Sequence, residues 1–219
     1  MTEPSHPLPY RWLGGHVALD FANTVAWSMG YDGGHDRPLP HYERLTSYER
    51  LVDWSRESGL VDTAVAASLL DVAGRSPHDA RRALERAMAV REAIHRLFTH
   101  RARNEPSPAE ALAVLNAVYR EGGGRRVIVE TRDGYSLAWL GAASILDAPL
   151  WPVSFAAAEL LTAAAAEHVR PCAAIPCGFL FLDTSRGSRR RWCDMAHCGN
   201  IAKVRRHRHR QRQGGAAAG

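Results

Sequence analysis

Apolar residues recur along much of the chain at the spacing of one-sided helices, with capping residues and breakers between the periodic stretches. Thr46 and Glu49 have the spacing of a capping box ahead of Leu51, Val52 and Trp54, and Gly59 stands where a C-terminal stop belongs. Asp62 can cap a short helix ending near Gly74. Ser76-Pro77 opens a long helix whose buried stripe is Leu84, Ala87, Met88, Ile94, Leu97 and Phe98. Ser107-Pro108-Ala109-Glu110 starts another that ends before Gly122, and an alanine-rich helix runs from about Pro152 to His168.

Elsewhere the period differs. Val127 to Val129 and Tyr135, Leu137 and Trp139 flank Arg132-Asp133-Gly134 and predict a two-stranded hairpin. From Gly14 to Trp27 the pattern is open between strand (Val17, Leu19, Phe21) and helix (Val17, Phe21, Val25), with helix favoured. Residues 29–43 are rich in Gly, Pro and His and read as a loop, and Met1 to Tyr10 reads as irregular.

At 219 residues with 46% hydrophobic composition, the chain can bury a core of one medium domain plus a small module. Its first twenty residues carry prolines and polar groups where a signal peptide needs a continuous apolar run, and nowhere is there a stretch suited to crossing a membrane. A cytoplasmic protein without a membrane partner is therefore expected. The four cysteines all lie between Cys172 and Cys198. In a reducing compartment such a cluster points to a metal rather than to disulfides.

Charge is equally local. Residues 186–212 hold nine arginines and Lys203 against Asp194, a net +9, which leaves −4 for the rest of a chain of net +5. One end is built to meet a polyanion.

The cysteines are spaced Cys172-x4-Cys177, fifteen residues, Cys193-x4-Cys198. Two close pairs on separate knuckles can surround one Zn2+ tetrahedrally, and an all-cysteine set leaves no position for a catalytic water, so the metal is expected to be structural. Between the pairs, Phe179 to Leu182 predicts a strand, Asp183 to Ser188 a turn and Arg189 to Trp192 a returning strand. Arg189, Arg190 and Arg191 would favour the thiolate form of the ligands. Free or oxidised thiols are the bland alternative. After Cys198 a basic helix is expected, with Ile201 and Val204 packed on the knuckle. Arg189, Arg190, Arg191, Lys203, Arg205, Arg206, Arg208 and Arg210 are candidate contacts to double-stranded DNA. Asn200 is either a reader of a base edge or a cap.

These readings give an α+β fold. A mainly helical N-terminal domain with a small β-hairpin spans 1–168, a four-cysteine zinc finger of hairpin plus C-terminal basic helix spans 169–212, and a disordered tail spans 213–219. With the cysteines confined to one end, the two folded parts are expected to have separate cores.

The run from Cys172 through Cys177-Gly-Phe-Leu-Phe-Leu-Asp to Arg189-Arg190-Arg191-Trp192-Cys193-Asp194-Met195-Ala196-His197-Cys198-Gly199-Asn200 closely resembles the CGNR-type zinc finger. Gly14-Gly15, Leu19-Asp20-Phe21 and Asn23-Thr24 resemble the start of the ABATE domain that precedes it. The resemblance spans nearly the whole chain. It implies a bacterial stress-induced transcriptional regulator, with DNA binding in the finger and sensing or assembly in the larger domain. Ile201 stands where the family has Arg, so any contact made by that arginine falls to its neighbours.

Other classes of function remain to be weighed. The same helix would serve an RNA-associated or protein-interaction module, although only Phe179, Phe181 and Trp192 could stack on bases. An enzyme would need His16, Asp20, His35, Asp36 and His41 to form a second site, and no ligand spacing supports one. A non-enzymatic regulator is the expectation. A homodimer is expected from the low affinity of a single finger. Asp20, Asn23 and Thr24, polar among apolar neighbours, predict a pocket for an unknown small-molecule effector or a subunit interface, the alternative being caps and internal hydrogen bonds.

Overall fold

The computed structural model of the chain describes residues 8–28, 37–39, 42–174 and 177–205, with residues 28 and 37–39 described by their backbone. The expected tail over 213–219 lies outside these residues.

The ambiguous opening segment forms both elements in turn. Helix α1 (Val17–Ala22) starts at His16, whose Nδ1 accepts the Ala18 N–H at 3.3 Å, and Thr24 closes it by donating its hydroxyl to the Phe21 carbonyl at 2.8 Å. Strand β1 (Ala26–Ser28) follows at once and pairs antiparallel with β2 (Arg37–Leu39). The second strand corrects the expectation of loop throughout 29–43. A proline is tolerated there because a two-stranded ribbon is all edge.

Helix α2 (Tyr48–Glu57) is capped by Ser47, which accepts the Arg50 N–H, so the capping position lies one residue later than the Thr46 expected. Glu49 then falls in the first turn, where the helix dipole favours a carboxylate. Gly59 ends the turn in the left-handed region at φ +75°. Asp62 caps α3 (Thr63–Arg75) through the Val65 N–H at 2.8 Å, and Pro77 opens α4 (Pro77–Ala102).

Helix α5 (Ala109–Gly123) runs through Gly122, where it was expected to stop. That glycine is a contact and not a breaker: a Cβ there would lie 2.9 Å from the Cβ of Trp151. Strands β3 (Arg126–Thr131) and β4 (Gly134–Trp139) form the expected hairpin, with Ile128 opposite Leu137. Helix α6 (Leu150–Thr162) breaks at the extended Ala163 into a 3₁₀ turn (Ala164–His168), so the alanine-rich helix is shorter than its composition predicts.

The core lies where α4 packs against α1, α2, α5 and α6, around Phe21, Trp54, Ile94, Phe98 and Trp151. Of the stripe expected on α4, Ala87, Ile94, Leu97 and Phe98 are buried, whereas Leu84 and Met88 lie half-buried at its margin. The same face also buries Arg91, His95 and Thr99, one turn apart. The Arg91 guanidinium grips Glu43 with both arms at 2.6 and 2.8 Å, and Glu43 Oε1 also accepts the N–H groups of Arg44 and Leu45. A buried charge held this way is compensated on both sides, and it fixes Arg44 beside the cysteines. None of the described helices is long and apolar enough to cross a membrane.

Candidate metal centre

Cys172 follows strand β5 (Val169–Pro171), which pairs antiparallel with β6 (Leu180–Leu182), Val169 opposite Leu182 and Pro171 opposite Leu180. The expected hairpin partner, Arg189 to Trp192, is not a strand. Asp183 explains this: its carboxylate accepts the N–H and O–H of Ser185 and the N–H of Arg190, which turns the chain and removes a donor the ladder would need. One backbone bond, from the Ala173 N–H to the Arg191 carbonyl at 2.9 Å, is what ties the returning segment to the first knuckle.

The first knuckle is closed by the Cys177 N–H on the Ala174 carbonyl and the Cys172 N–H on the Phe179 carbonyl, both at 2.7 Å. Gly178 sits at φ +60°, a conformation that side chains other than glycine resist. The second knuckle is the start of the C-terminal helix. Asp194 caps it through the Ala196 N–H, and a π-type turn (Met195–Gly199) continues as α-helix through residues 200–205. The helix thus begins ahead of Cys198, and Asn200 lies within it instead of capping it, donating Nδ2 to the Ala196 carbonyl at 2.7 Å.

These turns bring the four sulfurs of Cys172, Cys177, Cys193 and Cys198 within 4.8 Å of one another. Cys193 Sγ is 3.6 Å from the sulfurs of both Cys177 and Cys198. A tetrahedral zinc with four Zn–S bonds requires sulfur separations of about 3.8 Å, so the set fits with little adjustment. The Cys193 N–H points at Cys172 Sγ at 3.3 Å. Cys172, Cys193 and Cys198 are buried and Cys177 is half-buried. Hydrogen bonds from Cys177 and Cys193 hold the Cys172 thiol low, their own thiols are pushed up by the bond to Cys172, and burial raises Cys198. Ionising all four requires a divalent cation among them.

Arginines complete the surroundings, though not all those expected. Arg190 donates Nε to the Trp192 carbonyl at 2.8 Å and Nη2 to that of Cys193, with its guanidinium 4.6 Å above the Phe181 ring. It braces the second knuckle. Arg44, not foreseen, lies buried 5.6 Å from the Phe179 ring centre, where burial and the neighbouring Arg11 hold its pKa below the usual arginine range. Together with Arg11, Tyr42, His197 and Ile201 it borders a cleft of about 150 Å³ beside Cys177. Val204, expected to pack on the knuckle, is 49% exposed. It lies beyond the last turn in contact with the cysteine cluster.

Two apolar clusters do form, one helical and one around the cysteines, but their members cross the expected boundary. Val169, Leu180 and Leu182 belong to the helical core, while Leu13 and Ala26 pack with the cysteines. The Trp27 N–H donates to the Cys177 carbonyl at 3.0 Å, and the Leu182 N–H to that of Gly14 at 2.8 Å. His95, stacked 3.8 Å from Trp27, places Nε2 at 3.1 Å from the Gly178 carbonyl. Sequence spacing carries no sign of this pair, whose members meet only in the fold.

The polar residues near the N-terminus are spent internally. Asp20 Oδ1 accepts the Gly14 N–H at 2.7 Å. The Asn23 amide pairs with both backbone groups of Leu180, and Thr24 receives Arg91 Nη1 at 3.3 Å in addition to its bond to Phe21. All three are buried. His16 is the α1 cap, and His35, Asp36 and His41 lie outside the described residues, as do Arg206, Arg208 and Arg210. Among the described residues, Arg189, Arg191, Lys203 and Arg205 are exposed.

Comparison with known proteins agrees with this geometry. No curated protein matches the chain. The family model of the CGNR zinc finger matches residues 168–211, which begin just before β5 and include all four cysteines. The ABATE model, described as "Putative stress-induced transcription regulator", matches residues 15–164. With more than half of its length matched by that model, the chain belongs to the ABATE family, and its four clustered cysteines are the structural zinc site of a CGNR finger.

Proposed function

We propose that this protein is a DNA-binding, non-enzymatic transcriptional regulator that holds duplex DNA with the outer surface of its finger. The observation that carries the reading is a set of uncommitted cations. Arg186, Arg189, Lys203 and Arg205 are exposed, and their side chains make no hydrogen bond or ion pair among the described residues, while the exposed Arg191 meets the Trp192 ring at 5.6 Å. Like charges without partners repel one another, and phosphate relieves that repulsion. Arg206, Arg208 and Arg210 continue the basic run. Arg190 acts indirectly, by bracing the knuckle. Asn200 is exposed and spends one Nδ2 hydrogen on the Ala196 carbonyl, which leaves its second N–H and its Oδ1 for a base edge.

The RNA alternative has less support. Phe179 and Phe181 are 4% and 0% exposed, which removes two of three stacking surfaces. A four-thiolate zinc has no position for a reacting water, which favours a structural metal over a catalytic one. A reducing cytoplasm suits the free thiols. A homodimer would double a modest finger footprint.

The test is a salt series on a labelled DNA duplex with zinc-loaded protein. Replacing Lys203 and Arg205 together by Ala should weaken binding to all sequences and lower the salt slope by about two, at unchanged zinc content. Equal affinities and slopes in folded protein would remove the reading, and preference for single-stranded RNA would replace it.

A further inference from the structure

The β3–β4 hairpin carries an apolar face that nothing described in the chain covers. By strand alternation and register, Arg126, Ile128 and Glu130 share one face with Trp139, Leu137 and Tyr135. At its root this face is packed: Trp139 meets Phe155 edge-on at 5.1 Å, and Phe155 stacks on Tyr119 at 4.4 Å. Toward the tip it opens, with Ile128 73%, Tyr135 79% and Leu137 59% exposed. Apolar residues thus follow one another on this face from Phe155 and Trp139 through Leu137 and Ile128 to Tyr135.

We propose that this face is the contact between two copies of the chain, packed hairpin to hairpin about a two-fold axis that crosses the strands near Ile128 and Leu137. Two features favour a second copy over another occupant. The first is area: with the exposed part of Tyr119, the strip presents roughly 500 Å² of apolar surface, at the upper range for a monomer. Doubled across the axis and bordered by a polar rim, it reaches the roughly 1,200–2,000 Å² of a stable interface. The second is charge. The root carries Arg125 and Arg126 and the tip Glu130 and Asp133 with Arg132 between them. An antiparallel two-fold lays the tip of one hairpin over the root of the other, so Glu130 faces the partner's Arg126 and the contact is complementary to itself. An extended peptide would instead add to a strand edge and leave the apolar face in water.

This contact deepens the dimer suggested for a DNA-binding regulator, but it stands on the hairpin and is measured without nucleic acid, so either reading can fail alone. Sedimentation of the zinc-loaded full chain should give the mass of a dimer. Ile128→Glu with Leu137→Glu should reduce that mass about twofold with the helical circular dichroism and zinc content retained, because in a single chain both side chains face solvent. In the unaltered protein, amide exchange over residues 126–139 should slow as concentration rises. A monomer at all concentrations, a dimer that survives the double substitution, or exchange in the hairpin that ignores concentration would each overturn the proposal.

Discussion

Asn23 and Leu180 are joined by two hydrogen bonds of 2.8 Å, the side-chain amide giving its N–H to the Leu180 carbonyl and accepting the Leu180 N–H on its oxygen. The amide thus serves β6 as one more peptide unit of a neighbouring strand. It fastens the zinc finger to the end of α1, and Trp27 and His95 hold the adjoining Cys177 and Gly178 carbonyls.

Asn23→Ala leaves both Leu180 groups buried without partners. The expected loss is about 2–4 kcal/mol, since each abandoned buried group costs about 1–3 kcal/mol. Because each part places residues in the other's apolar cluster, denaturant unfolding of the zinc-loaded variant should remain a single transition at a lower midpoint. A finger that unfolds separately, with the helical part unmoved, would show that this pair does not couple them.

Metal removal should reach further than the finger. One zinc per chain is expected by elemental analysis of freshly reduced protein, with Cys193→Ser reducing it to well below one. In the variant, or after chelation, Trp27 loses its acceptor at Cys177 as the knuckle opens. Amide protection should then fall in β1 and around residue 95 as well as in residues 169–205. Protection unchanged outside the finger would mean that the docking survives without metal. Zinc affinity should also weaken as pH falls, because protons compete for the thiolates.

Asp20 gives the stability a pH dependence of defined sign. Burial pushes its carboxyl up to about 6, against the bond from the Gly14 N–H. The folded state therefore holds this proton more tightly than the unfolded state, and the stability it confers is lost as pH rises from about 4 through about 6. His95 acts oppositely: burial lowers its ring to about 3, so its contribution is lost as pH falls below about 6.5. Asp20→Asn keeps an acceptor for Gly14 and removes the first effect alone. Relative to the unaltered protein it should gain about 1.4 kcal/mol between about pH 5 and pH 8, read by urea unfolding. A difference independent of pH would place the Asp20 ionisation outside the folding equilibrium.

Sequence by itself determined what depends on neighbours along the chain. The pairs Cys172/Cys177 and Cys193/Cys198 announce a tetrahedral thiolate site because knuckle spacing is a local constraint. Asp62 marks a helix start because a cap acts within one turn, Pro77 marks another because its fixed φ suits the first helical position, and Arg132-Asp133-Gly134 marks a hairpin because a tight turn is equally local. The tertiary structure alone decided which strand pairs with β6, since Asp183 diverts Arg190 and leaves β5 as the partner. It also decided that Gly122 is a contact with Trp151 and not a helix stop, and that Gly14, Asp20 and Asn23 serve the junction with the finger. Trp27, Arg44 and His95 carry no local signature, because their roles arise from contacts between residues far apart in sequence. Those contacts form only when burial forces each polar group to find a partner.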